Sequence, residues 1–302
     1  MFPIIPANTL VASYPTNDEG IFGFGYTGSY TGVTNLVSNA GVVASDVAAV
    51  GTARNTIAAC EFGDDKGIFG FGNTGSYTGV TNLVSNAGVV ASDVAAVGTA
   101  RRFLAACSYG EDKGIFGFGQ DAGSVTAVTN LVSNAGVVAS DVAGVGTARY
   151  TLAACEYGGD KGIFGYGTTG SLVSLTNLVS NAGVVASDVA GVGTDRAYLA
   201  ACSYGGDKGI FGFGYDGVGA GDASMTNLVS NAGVIASDVA GVGTARPYLA
   251  ACEYGGDKGI FGYGNDSSYV SMTNLVSNVG VVASDVAGVG TARAYLAACS
   301  FN

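Results

Sequence analysis

Short apolar runs alternate with Gly, Asn, Asp and Ser along this chain, and the order of the runs recurs. One unit, from Met225 to Gly264, reads MTNLVSNAGVIASDVAGVGTARPYLAACEYGGDKGIFGYG. The element TNLVSN begins at Thr34, Thr81, Thr129, Thr176, Thr226 and Thr273, and spacings of 47 to 50 residues mark a repeat architecture. Each unit holds four apolar runs bounded by turn residues: GIFGFG or GIFGYG, then TNLVSNAGVV, then VAGVGTAR, then LAAC. That pattern predicts four strands. The alanine-rich stretch SDVAAVGTARNTIAAC competes as a helix, but its glycine and valines favour strand. In the aromatic run, period-2 alternation puts Ile260, Gly262 and Gly264 on one face and Phe261 and Tyr263 on the other. Glycine against aromatic rings lets neighbouring sheets approach closely.

Four antiparallel strands per unit, repeated six times, predict an all-β fold: a six-bladed β-propeller of four-stranded antiparallel blades. A parallel β-solenoid is the alternative, but its coils are usually shorter. The first full unit opens on the aromatic strand (Gly20–Gly25) and the last closes on Arg293–Phe301, so the C-terminal strand is expected to complete the N-terminal blade and hide both sheet edges. Residues 1–19 form a leader with a degenerate strand at Leu10–Tyr14, and residues 20–302 form the propeller. The leader strand competes for the same slot; the C-terminal copy is expected to win because it keeps the full LAAC pattern.

Composition narrows the function classes. The chain has 51 glycines, 12% charged residues and a net charge of −11, which argues against nucleic-acid binding. The glycines recur with the repeat, which argues against disorder. No apolar run approaches the roughly 18–20 residues of a membrane-spanning helix. The start, MFPIIPANTL, lacks the basic region of a signal peptide, so classical secretion is not expected. Cys60, Cys107, Cys155, Cys202, Cys252 and Cys299 occupy equivalent positions, which ring symmetry should hold too far apart for bridging. They are expected to be buried free thiols. There is no histidine and no CxxC spacing, so no cofactor or metal site is expected.

At RPYLAACEYGGDKGIFGYG the chain resembles a kelch repeat, although it has no tryptophan and no double glycine after the aromatic strand. Residues 20–301 resemble more closely the kelch-like repeat proteins of marine bacteriophage genomes, whose units also read TNLVSN, GVGTAR and LAA in turn. The resemblance implies a virion-associated or phage-encoded propeller and no particular reaction.

Two segments differ between copies: the loop after the aromatic strand (Tyr26–Gly32, Gln120–Ala127, Tyr215–Ser224) and the pair after GTAR (Asn55-Thr56, Arg102-Phe103, Pro247-Tyr248). In an up-and-down blade both fall on one face, which is the candidate binding surface. Its longest loop offers Tyr215, Asp216 and Asp222 to a sugar or a protein; a glycine-rich insertion without a ligand is the competing reading. Arg54, Arg101, Arg149, Arg196, Arg246 and Arg293 each open the strand expected to be innermost. They are expected around the channel mouth, where guanidinium groups suit an anion or an acidic peptide; the competing reading ties each to the next blade. Charge reversal at Arg149 and Arg246 would then abolish binding without unfolding the ring. Glu61, Glu156 and Glu253 alternate with Ser108, Ser203 and Ser300, making the glutamates weak candidates for a cation site that a two-unit duplication explains equally well. Asp46, Asp93, Asp141, Asp188, Asp238 and Asp285 are read as structural, capping amides or pairing with the repeat lysines. GFGNTG (Gly70–Gly75) and GYGTTG (Gly165–Gly170) fit GxGxxG, but no helix follows them to receive a phosphate.

No nucleophile–base pair is recognisable, so an enzyme is not expected. The leading expectation is a non-enzymatic virion component, structural or host-attaching, that meets other virion proteins or a host receptor through the variable face. The alternative is a cytoplasmic interaction propeller that grips an acidic partner peptide. A leader exchanged between chains would build a homo-oligomer.

Overall fold

The computed structural model describes residues 19–218 and 221–301. The expected leader, with its degenerate strand at Leu10–Tyr14, lies outside them. The described chain is all-β and forms six sheets of three antiparallel strands. The LAAC strands are β3 (Ala58–Phe62), β6 (Ala105–Tyr109), β9 (Ala153–Tyr157), β12 (Ala200–Tyr204), β15 (Ala250–Tyr254) and β18 (Ala297–Phe301). Aromatic strands fill the middle of each sheet: β1 (Glu19–Tyr26), β4 (Lys66–Gly70), β7 (Lys113–Gly117), β10 (Lys161–Gly165), β13 (Lys208–Tyr215) and β16 (Lys258–Gly262). The TNLV strands are β2 (Tyr30–Val37), β5 (Thr81–Val84), β8 (Thr129–Val132), β11 (Thr176–Val179), β14 (Asp222–Val229) and β17 (Thr273–Val276). Five sheets are contiguous in sequence; the sixth is β18-β1-β2, with Glu19 opposite Phe301 and Gly23 opposite Ala297. The repeated pattern is consistent with a propeller.

The expected fourth strand does not form. After β5 the chain touches its sheet at two points, Val84 opposite Val90 and Thr81 opposite Val94. These are three residues apart on β5 and four apart on the returning segment, so one extra residue breaks the ladder. The Asn82 side chain fills the gap, donating to the Ala91 carbonyl (3.0 Å) and to Asp93 (2.9 Å). All six sheets repeat this arrangement.

The hydrophobic core lies between sheets, in six clusters that each draw on two neighbours. One cluster joins Ile260 and Tyr263 to Phe22 and Val37, the last sheet to the first. The LAAC strands follow one another in the same order, with β18 against β3. Glycine and aromatic rings do interlock: a Cβ on Gly262 would lie 2.7 Å from the Phe22 ring. The alternation expected within the aromatic strand fails at its second ring. Tyr263 takes φ 65° and its equivalents φ 62–65°, a left-handed kink that turns the side chain to the other face. Phe261 therefore meets Phe213 of the preceding sheet while Tyr263 meets Phe22 of the next. The six cysteines are free and buried, and burial pushes their thiols up.

Candidate binding face and axial channel

The six repeat arginines do not line the channel mouth. All six are fully buried between sheets. Arg101 lies 4.3 Å over the Phe71 ring of one sheet, and its Nε donates to the Phe118 carbonyl of the next (3.0 Å). Nη2 donates to Asn130 Oδ1 at 2.6 Å, Nη1 to the Thr99 carbonyl at 3.1 Å, and Asp141 lies 4.0 Å away. Burial lowers the Arg101 pKa to about 10, partly offset by Asp141, so it stays charged at neutral pH. Arg54 and Arg246 make the same three bonds, while Arg149, Arg196 and Arg293 keep the burial and the ring stacking with fewer of them. Arg293 fastens the last sheet to the first through the Phe24 carbonyl (2.9 Å). The repeat aspartates belong to the bolt: Asp141 accepts from the Thr99 N–H and hydroxyl of the preceding segment. Their expected alternative partners, the lysines, pair instead with the adjacent aspartate of the opposite turn, as Lys208 does with Asp207.

The end of the LAAC strands nearest the arginines is built by the residue two positions after each arginine. Thr56, Phe103, Thr151, Tyr198, Tyr248 and Tyr295 all adopt φ between 53° and 64°. Their backbones form a cycle: Phe103 N–H donates to Thr56, Thr151 to Phe103, Tyr198 to Thr151, Tyr248 to Tyr198, Tyr295 to Tyr248 and Thr56 to Tyr295, at 2.8–3.0 Å. These bonds hold non-glycine residues in a costly conformation. Four rings cover the axis in a second cycle, Phe103–Tyr198 at 5.9 Å, Tyr198–Tyr248 at 4.5 Å, Tyr248–Tyr295 at 4.2 Å and Tyr295–Phe103 at 6.3 Å. A cavity of about 70 Å³ lies among them and the ring of Ile57, Leu104, Leu152, Leu199, Leu249 and Leu296. Burial, then neighbouring phenols, pushes the Tyr198 hydroxyl up to about 12.

Both variable segments meet on this face, as Arg102 opposite Gln120 and Tyr150 opposite Thr168 illustrate. Tyr26, Tyr30, Tyr77, Tyr150, Tyr198, Tyr215, Tyr248, Tyr269 and Tyr295 lie there, nine of the fifteen tyrosines among the described residues. Tyr215 is 38% exposed and ends a lengthened hairpin in which it faces Asp222. Asp216 accepts from the Val218 N–H (2.9 Å). Burial, then Asp266 and Asp216, raises the Asp222 carboxyl. These three residues are thus built into the hairpin, apart from the axial aromatic cluster. The sequence reading missed that cluster and the singularity of Arg102. Both leave a signal: the second residue of the variable pair is aromatic in four units, and Arg102 alone among the cations has no repeat equivalent.

Glu61, Glu156 and Glu253 line a cavity of about 50 Å³ at the other end of the LAAC strands with Ser108, Ser203 and Ser300. Among the described residues no group of three or more His, Cys, Asp or Glu is placed to hold a metal ion. Burial, then Glu61 and other acids, raises the Glu156 carboxyl from 4.5 to about 8 and raises Glu253 as well. A raised carboxyl favours folding in its protonated form, so its contribution is complete below about pH 4.5 and is lost as pH rises through about 8. The repeat aspartates act oppositely. Burial pulls them up, but bonds from Thr and Asn and the nearby arginine outweigh it, and their stabilisation is lost as pH falls below the usual 3.8. The melting temperature is therefore expected to fall from pH 5 to pH 8.5, and E61Q/E156Q/E253Q to flatten that slope. A wild-type profile flat or rising across this range would contradict the assignment.

No protein-family model matches the chain, and the comparison with curated proteins finds no match.

Proposed function

We propose that the chain is a closed six-bladed β-propeller acting as a non-enzymatic recognition module, a structural or host-attachment component of a bacteriophage virion. The observation that carries this reading is the sorting of residues. The repeated chemistry-bearing residues are used up in the scaffold: arginine bolts, buried thiols and interlocked glycines in all six units, and lysine–aspartate turns in five. Differences between units collect on one face, in loops of Tyr, Ser, Gly, Thr and Asn such as Tyr26–Gly32. That is the composition of binding loops, where tyrosine supplies contact area at low entropic cost and small polar residues adapt their hydrogen bonds. The closed ring rests on the β18–β1 pairing and on Arg293 reaching the first sheet. A grip on an acidic peptide by the six repeat arginines is not retained, because none of them reaches solvent.

The test joins immunogold labelling of purified particles from the source with binding of the purified chain to host cells. Label on particles, with cell binding weakened by Tyr77→Ala and Tyr150→Ala, is the expected result. A chain absent from particles that binds neither cells nor any virion protein would overturn the reading.

A further inference from the structure

We propose that the sector of the variable face bounded by Tyr77, Arg102, Phe103 and Tyr150 binds a saccharide carrying a single carboxylate. The inference rests on the recognition reading above and names the ligand class for it. The chain has 12 Lys and Arg residues. Six arginines are buried between sheets and five lysines are ion-paired to aspartates in the turns. Arg102 is the remaining cation, and among the described residues no carboxylate lies within ion-pair distance of it.

Its placement is built rather than incidental. The guanidinium lies 4.9 Å from the centre of the Tyr77 ring and 5.0 Å from that of Phe103. Nε and Nη2 both donate to Gln120 Oε1 at 3.2 Å, while Nη1 has no partner among the described residues. The two rings and Gln120 fix the fork, so little side-chain entropy remains to be lost when an anion binds. Phe103 is itself locked by the axial backbone cycle and lies 6.1 Å from the Tyr150 ring. Both rings are half-buried and keep part of their surface open to solvent.

Charge decides which anion fits. A net charge of −11 repels polyanions at long range, so nucleic acids, acidic peptides and anionic membranes are disfavoured. One fixed guanidinium suits one carboxylate on an otherwise neutral, hydroxyl-rich body. Adjoining aromatic surface then stacks against the C–H face of a sugar ring. The aromatic cluster covers the axial end of this face, and the cavity beneath it, about 70 Å³, is small for a peptide side chain.

The experiment is saturation-transfer NMR and calorimetric titration of the full chain with sodium N-acetylneuraminate, sodium glucuronate, glucose and N-acetylglucosamine. The two acids are expected to bind at least about fivefold more tightly than the neutral sugars. Arg102→Gln should weaken acid binding by about tenfold and leave the neutral sugars unchanged, while Tyr150→Ala weakens both. No sugar binding, no preference for the acids, or a preference that survives Arg102→Gln would each overturn the proposal. If the chain binds host cells in a Tyr150-dependent way but binds none of these sugars, the ligand class fails and the recognition face stands. If it binds neither, both fail.

Discussion

Replacing Arg101 by alanine is expected to destabilise the fold by about 3–5 kcal/mol and to lower the melting temperature by roughly 10 °C. The side chain is fully buried and makes three hydrogen bonds in addition to its stacking on Phe71. Its loss leaves the Phe118 carbonyl and Asn130 Oδ1 without their donors, and leaves Asp141 facing a void where its counter-charge was. Lysine keeps the charge but not the fork that reaches three acceptors, so Arg101→Lys should recover only part of the loss. Charge reversal at Arg149 or Arg246, which the sequence suggested as a selective test of ligand binding, should instead unfold the chain. Urea denaturation of each variant measures the cost. A loss of unfolding free energy below about 1 kcal/mol would show that the bolt contributes no more than an exposed pair does.

Ending the chain at Leu296 should abolish cooperative folding altogether. The truncation removes β18, which pairs along β1 from Glu19 to Gly23. It also removes Ala297, Cys299 and Phe301 from the cluster they share with Ile57, Phe69 and Val84. Removing Phe301 alone, which is fully buried, would cost about 3–5 kcal/mol. Adding a lost strand ladder and an opened sheet edge exceeds the margin of most domains, about 5–15 kcal/mol. Size-exclusion chromatography with circular dichroism should find aggregated or unfolded material. A monomer with an unchanged melting temperature would contradict the role given to β18.

Most of the scaffold was legible because repetition multiplies weak signals. Six copies of one aromatic strand, one LAAC strand and one glycine turn established the sheets, their order and the free thiols. The expected fourth strand fails because Val94 and Val97 carry the apolar, β-branched signal of a strand without its burial. They are 44% and 36% exposed, and period-2 reading cannot see that the Asn82 side chain displaces the ladder. The second aromatic residue was placed on the wrong face for a related reason: a positive φ at Tyr263 is invisible to alternation. The sequence places the arginines at the mouth because each precedes the strand expected to be innermost. Geometry instead turns Arg101 into the gap between sheets, where Phe71 and Asn130 complete its shell. What binds was the hardest to read, since the informative residues are the ones that do not repeat.

Arg101 and Arg102 are neighbours in sequence with opposite assignments, one scaffold and one binding face. The most direct measurement is therefore a pair of thermal melts, Arg101→Gln beside Arg102→Gln. The account predicts that the first loses roughly 10 °C and the second stays within about 2 °C of the wild type. Equal melting temperatures for the two variants, or a greater loss at Arg102, would contradict the division between a repeated scaffold and a variable face.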